Sequence, residues 1–363
     1  MNDTFTELAS SDIRGFAVRP VIQPVTDSAA LPEAIMDEGP TNVLDQYHTQ
    51  IGEWLKIKRP TQPYTEDELK DAIEAFISDS SNAMGNWVYY PWLDTVVRVL
   101  NEEMYREVVT SRNQFKITPE EQKILSGKTI GVIGLSVGQA AAVTLAMENV
   151  GGTIRIADFD TLDLSNLNRL RAGVHQLGMP KTVIAAREIA QINPYLHVEI
   201  YDEGVTPENA VSFMSGLDLL VEECDSLPIK IAVRHIAKKM KLPVIMDTSD
   251  RGMVDVERFD LESDRPIFHG KLAAFEGKDP ATFTPEDKRN LLFTLVDYPM
   301  ASDRAKSSFA EIGKTITTWP QLASAVTLGG AMMTDSARRI LLGNTLASGR
   351  YYVDLEQLIG TND

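Results

Sequence analysis

The sequence predicts an α/β fold: a doubly wound, parallel sheet with helices on both faces, preceded by a mainly helical N-terminal extension. Three observations carry this. Buried-strand and helix patterns alternate five times between Thr129 and Asp247. The first strand runs into a glycine-rich turn, Gly134-Leu-Ser-Val-Gly138. An acid, Asp158, closes the second strand.

Residues 1–45 have mixed polarity and several prolines, and read as an extended arm with a short helix. Thr65-x-x-Glu68 is a capping box, followed by Leu69, Ile73, Phe76 and Ile77 at helical spacing. Asn86–Trp92 is an aromatic cluster that serves either as a packing patch or as a stacking surface for substrate. The regular pattern then begins. Thr129–Ile133 is a strand, Gly138–Asn149 a small-residue helix, and Thr153–Asp158 a second strand. Pro180–Ile192 is helical, with Pro180 suited to a first helical position. His197–Tyr201 is a strand, and Thr206-Pro207-Glu208 caps the next helix. Leu217–Glu222, Leu227–Met240 and Pro243–Asp247 are strand, helix and strand. Beyond Asp260 the pattern weakens, leaving a helix start at Thr284–Asp287 and a long helix over Pro320–Leu342, broken or tightly packed near Gly329-Gly330. Two domains are expected, residues 1–105 and 106–363.

Composition narrows the function. With 363 residues, 35 Lys+Arg against 52 Asp+Glu and a net charge of −17, the chain lacks the basic footprint of a nucleic-acid or anionic-membrane binder. No apolar run approaches the roughly 20 residues that span a bilayer, and Met1–Gly15 does not read as a signal peptide. The single cysteine, Cys224, excludes an internal disulfide and a Cys-pair zinc site, and the five histidines have no ligand spacing. A cytoplasmic enzyme is expected.

The Gly134–Gly138 turn suits either tight packing or a phosphate at a helix N-terminus, with Ser136 where a dinucleotide fingerprint has its second glycine. Asp158, 24 residues after Gly134, can accept ribose hydroxyls. NAD and ATP fit these two features equally. The following run, Asp158-Phe-Asp160-Thr-Leu-Asp-Leu-Ser165-Asn166-Leu-Asn168-Arg169, separates them, since it leaves the strand on a polar loop ending in an arginine suited to clamping a polyphosphate. Lys181 follows 12 residues later at a helix start. Taken singly, Arg169 and Lys181 fit a solvated loop and a surface helix. Together with Asp158 and the turn, they point to a nucleoside triphosphate.

These residues resemble the ThiF/MoeB superfamily, the adenylating core shared with ubiquitin-activating enzymes. The Asp158 and Ser165–Arg169 run, Pro180-Lys181 and Asp225-Ser226 match its motifs, and Ser111-Arg112-Asn113-Gln114 matches a segment that reaches a neighbouring subunit's ATP site. The likeness covers roughly residues 105–260, more weakly Trp319–Arg339, and not residues 1–100. Trp87–Trp92 with Arg112–Thr118 is similar to a bacterial subgroup in which the core is joined to a nitroreductase-like domain. The resemblance implies a Rossmann-like fold, ATP and Mg²⁺ as cofactors, and adenylation of a substrate carboxylate with release of pyrophosphate. It implies that Arg112, Arg169 and Lys181 hold phosphates, that Asp225 holds Mg²⁺, and that Gly134, Ser136, Val137, Gly138, Asp158, Asp160, Ser165, Asn166, Asn168 and Ser226 line the nucleotide site. It implies a homodimer acting on a ubiquitin-like protein, a peptide or a small carboxylic acid.

Two departures stand out: the superfamily's zinc-binding Cys-x-x-Cys pairs are missing, and no cysteine follows Cys224. No thioester step is therefore expected, and Cys224 reads as an inert buried thiol. Asp247–Arg258 reads either as a charged, solvated hairpin or, through Asp250 and Arg251, as part of an acyl-substrate channel, with Gly270–Pro299 as a crossover lid. The competing reading is a catalytically degenerate scaffold partner that binds nucleotide.

Overall fold

The computed structural model describes residues 12–13, 15–25, 31–79, 84–275 and 282–360. The chain divides into two compact units, Met1–Pro119 with Ala190–Tyr195, and Glu120–Ile189 with Leu196–Asp363.

The first unit holds more strand than the sequence suggests. After a two-residue ladder of β1 (Asp12–Ile13) and β2 (Phe16–Ala17) come β3 (Val21–Pro24), β4 (Asn42–Asp45), β5 (Asn86–Tyr90) and β6 (Thr95–Val99). The last four form a sheet in the order β3-β5-β6-β4, in which only the β4–β6 pair is parallel. The aromatic cluster is thus mostly a strand, with Trp87, Tyr89 and Tyr90 buried. The short helix expected in the arm is α1 (Glu33–Met36). Helices α2 (Tyr47–Lys58), α3 (Glu66–Ser78) and α4 (Glu102–Thr110) follow. Buried Arg98 reaches Asp45 at 3.2 Å and lies 4.2 Å from the Tyr47 ring centroid. The capping box forms as expected: Thr65 accepts from the Glu68 N–H at 3.3 Å, and Glu68 accepts from the Thr65 N–H at 2.9 Å. Thr65→Ala should lower the stability of this unit by about 1 kcal/mol, read as a shift in the denaturation midpoint at unchanged slope; no shift would mean the box contributes nothing.

The second unit is the doubly wound sheet. Its strands are β7 (Thr129–Ile133), β8 (Thr153–Ala157), β9 (His197–Tyr201), β10 (Leu219–Glu222), β11 (Val244–Asp247), β12 (Met253–Glu257) and β13 (Gly349–Tyr352). The order is β13-β12-β11-β10-β7-β8-β9, with five parallel strands and an antiparallel edge made by β12 and β13. After α5 (Pro119–Leu125) the crossovers are α6 (Gly138–Glu148), α7 (Lys181–Ile192), α8 (Ala210–Met214) and α9 (Leu227–Met240). The pleat of β7 sends neighbouring residues to opposite layers. A Cβ on Gly131 would meet Phe213 of α8, whereas Val132 abuts Gly138 of α6.

Three local expectations are decided by the structure, the long helix in favour of its tightly packed alternative. The Thr206 cap sits one turn before a five-residue helix, exchanging hydrogen bonds with Asn209. The long helix runs unbroken as α12 (Ala323–Leu341). Its two glycines allow close packing, since a Cβ on Gly329 would lie 2.0 Å from Asp247 Oδ2 and one on Gly330 2.8 Å from Ala140 backbone. The stretch after Asp247 is no solvated hairpin: β12 is buried throughout. Its acids are paired, Glu257 with Arg234 at 2.5 Å, and Asp255 with Arg350 at 2.7 Å and His269 at 3.0 Å. Burial alone would raise the pKa of Asp255, but its hydrogen bond to His269 and the neighbouring cations hold it down. The remaining helices are α10 (Pro285–Leu295), α11 (Asp303–Phe309) and α13 (Leu355–Leu358). Part of the expected crossover lid, residues 276–281, lies outside the described residues.

Candidate active site

The carboxyl ends of β7, β8 and β10 bring together residues that are far apart in sequence. Gly134 turns the chain with φ +84°, and a Cβ there would lie 2.6 Å from the Glu223 carbonyl oxygen. Only glycine lets the two strand ends approach this closely. Val137 is the N-cap of α6, and no side chain caps that helix. The N–H groups of Gly138 and Ala140 donate to the Gly134 and Val137 carbonyls at 3.1 Å, so it is chiefly the positive dipole end that suits an anion.

Beside the turn, Asp158 is buried, with Oδ2 accepting from the Leu135 N–H at 2.6 Å and Oδ1 from the Asp160 N–H at 2.8 Å. Burial raises its pKa, and the two N–H donors oppose that shift. The polar loop then forms a 3-10 turn, Leu164–Asn168, closed by Asp163 with Asn166. Asn166 is buried and its Oδ1 accepts from the Asp163 N–H at 3.1 Å, while Ser165 is exposed.

Arg169 is fixed over the turn. One terminal nitrogen donates to Ser136 Oγ at 2.9 Å, and the other to Asn168 Oδ1 at 2.9 Å and the Ser165 carbonyl at 3.4 Å. Its Nε is buried without a hydrogen-bond partner. Burial lowers the pKa of the guanidinium, and the nearby carboxylate of Asp225 opposes that. Lys181, buried at the start of α7, donates to Asp160 at 2.8 Å. Asp225 and Ser226 lie exposed between β10 and α9. Arg112 belongs to the first unit, exposed on the 3-10 turn Ser111–Asn113 that follows α4.

Two acids behind the turn were not singled out from the sequence. Glu223 is buried and accepts from the Asp247 N–H at 2.8 Å. Burial, reinforced by the charge of Asp247, pushes its pKa well above the carboxylate range. Asp247, pushed up to about 6 by burial, accepts from the Ser249 N–H and hydroxyl. The signal available was the pair Glu222-Glu223 ending an otherwise apolar strand. Glu222 is buried with Arg234 and Lys230; burial would raise its pKa, but these cations outweigh it.

Cys224 is half-buried, with Sγ 3.8 Å from the Ser226 carbonyl, and burial pushes the thiol pKa up. A thiol held protonated is a poor nucleophile. Cys224→Ser should leave turnover within a few-fold of wild type; accumulation of an acyl-adenylate without product would make the thiol a nucleophile after all.

Next to Arg169 a cleft of about 990 Å³ opens between the Ser249–Gly252 loop, α11, Trp319–Leu322 and the first turns of α12. The link is direct: Asn168 Nδ2 donates to the Gln321 carbonyl at 2.7 Å, between the lining residues Pro320 and Leu322. Asp250 accepts from Ser302 through both its N–H and its hydroxyl. Arg251 is tied to Asp354 at 2.5 Å and to the Met300 carbonyl at 2.6 Å. Asp250 and Arg251 therefore line the cleft and also brace it.

Among the described residues, no helix is long and apolar enough to cross a membrane. Comparison with known proteins identifies the family. The model of the ThiF family matches residues 110–358. An uncharacterized protein of Mycobacterium tuberculosis (strain CDC 1551 / Oshkosh) is 45% identical over 277 residues, 76% of this chain and 39% of that protein. The tRNA threonylcarbamoyladenosine dehydratase of Bacillus subtilis is 32% identical over 154 residues, 42% of this chain and 60% of that protein. The molybdopterin-synthase adenylyltransferase of Haemophilus influenzae is 29% identical over 151 residues, 41% of this chain and 61% of that protein. The chain thus spans less than two thirds of the length of each of these relatives. A solved E. coli tRNA N6-threonylcarbamoyladenosine dehydratase in complex with ATP aligns with 68% of this chain and 97% of that one, at 18% identity and a TM-score of 0.49. With the family model covering more than half of its length, the chain belongs to the ThiF family.

Proposed function

We propose that this chain adenylates a substrate carboxylate with ATP, the carboxylate attacking the α-phosphorus and pyrophosphate leaving. The observation that carries this reading is Arg169: a guanidinium braced from three sides, with one buried N–H unsatisfied, beside an uncapped helix N-terminus. The guanidinium is half-buried, and an unmade hydrogen bond at its buried Nε is costly; an anionic oxygen would satisfy it. The relatives named adenylyltransferases support the same chemistry.

In this reading the N-terminal end of α6 and Arg169 hold phosphate oxygens, and Asp158 accepts from the ribose. Lys181 exchanges part of its pairing with Asp160 for phosphate, and Arg112 supplies a further cation. An incoming carboxylate and a polyphosphate repel each other, so catalysis is chiefly alignment and charge neutralisation. Asp225, an exposed carboxylate between β10 and α9, would hold a Mg²⁺ ion, a hard cation suited to one or two carboxylates together with phosphate. When bound, the ion neutralises phosphate charge. The acyl group would then pass from the adenylate to a nucleophilic acceptor, with AMP as the leaving group and no cysteine relay.

The adenylating domain is assigned to residues 106–363 and the N-terminal extension to 1–105, with the family match over 110–358 in support. A ubiquitin-like protein, a peptide and a small acid all remain within the substrate class, and the acting unit is a homodimer. The degenerate-scaffold reading draws on one observation: Lys181–Asp160 and both oxygens of Asp158 are already engaged. ATP–pyrophosphate exchange separates the readings. Exchange dependent on Mg²⁺ and a carboxylate supports adenylation, whereas nucleotide binding with no exchange favours the scaffold.

A further inference from the structure

The cleft beside Arg169 differs in character from the phosphate-binding turn. Its apolar lining includes Trp319, Leu322, Leu328 and Val353. Trp319 packs against Phe309 with ring centroids 4.4 Å apart, so the wall is backed by an aromatic cluster. A volume of about 990 Å³ holds a ligand well beyond a small acid.

Its charged lining is acidic: Asp250, Asp303, Glu311, Asp354 and Glu356 stand against Arg251 and Arg304. Arg251 is neutralised by Asp354 at 2.5 Å. What remains unbalanced is a surplus of three carboxylates alongside the apolar lining. The surrounding protein, at −17, reinforces that field.

We infer that the cleft selects an acyl substrate whose body is apolar and positively charged, a basic amphipathic peptide-like chain, with its carboxylate leading toward Arg169. The inference rests on the adenylation reading only for that direction; the charge preference stands on the cleft itself. The division of labour follows from electrostatics. An anionic body would be repelled by the acidic lining, while its carboxylate alone is attracted by the Arg169 side of the site. Two hydrogen bonds, Asn168 Nδ2 donating to the Gln321 carbonyl and Arg169 donating to Asn168 Oδ1, connect the cleft to the guanidinium.

The test uses two fluorescein-labelled peptides of matched apolar content, one lysine-rich and one glutamate-rich, each ending in a free carboxylate. Binding is measured by fluorescence anisotropy on the full chain without nucleotide. The lysine-rich peptide should bind about tenfold tighter or more at low salt, with the difference shrinking as salt rises. The double variant Glu311→Lys, Glu356→Lys turns the charged lining from net negative to net positive and should reverse the preference. Both positions are at least partly solvent-accessible, and circular dichroism confirms that the variant is folded. Leu322→Ala, at an exposed position in the apolar lining, should weaken both peptides alike. Equal affinities at low salt, or a preference that survives the double variant, overturn the inference. Pyrophosphate exchange on the same peptides is scored separately, so a chain that discriminates charge but binds ATP without exchange would count against peptide adenylation and leave the cleft's selectivity standing.

Discussion

Arg169→Ala is expected to reduce carboxylate-dependent ATP–pyrophosphate exchange by about a hundredfold or more, the usual loss when a positioned charge-stabilising donor is removed. The guanidinium ties the glycine turn, through Ser136, to the polar loop, through Ser165 and Asn168. Alanine removes both the charge and the brace, so the melting temperature must be measured alongside. Arg169→Lys separates the two effects. It keeps a positive charge but loses the planar fork, and should recover stability more than rate. Asp225→Ala should match the loss in exchange, with a weaker effect on folding, because Asp225 is exposed. Wild-type protein should also be stabilised by ATP–Mg²⁺ and not by NAD, by about 2.7 kcal/mol at a ligand concentration 100 times the dissociation constant. Exchange that persists in Arg169→Ala would remove that residue from the site. Products of ADP and phosphate, with no pyrophosphate, would end the adenylation reading itself.

The parallel core was legible because its strands and helices alternate between turn signals, although Arg155 stands in β8 and Glu199 in β9. Thr129–Ile133, His197–Tyr201 and Leu227–Met240 appear where the pattern puts them. The edge was not. Gly349–Tyr352 carries an arginine, and Met253–Glu257 two acids, so neither reads as buried. Their charges are cancelled by partners remote in sequence: Asp255 by Arg350, 95 residues away, and Glu257 by Arg234, 23 residues away. Such pairing leaves no local signature. The same holds in the first unit, where Arg98 lies buried in β6 because Asp45 and the Tyr47 ring meet it. Motif spacing found the residues around the turn, and geometry added what spacing could not: Arg169 is braced by Ser136, and Glu223 and Asp247 stand behind the glycine. It also explains Ser136. The residue that breaks the dinucleotide fingerprint is the acceptor that orients the arginine.

The second large effect concerns Arg112, and it tests assembly as well as chemistry. Arg112 lies 22 residues before Gly134 and belongs to a different compact unit from Arg169 and Asp225. If each site of a two-fold dimer borrows Arg112 from the neighbouring subunit, Arg112→Ala and Asp225→Ala should each be nearly inactive alone, since each strips an essential charge from every site. In a mixed dimer, the Arg112→Ala subunit keeps its own Asp225 and receives an intact Arg112 from its partner. One site is then whole, and the other lacks both residues. Random pairing after co-expression makes half the dimers mixed, so roughly a quarter of wild-type exchange should return. A cis arrangement predicts something different: every site in every dimer is damaged, and the mixture shows only the average of the two mutants. Recovery to about a quarter cannot arise from improved folding of either variant, because neither regains activity by itself. An averaged, near-zero rate in dimers verified as mixed would place Arg112 outside the neighbour's site.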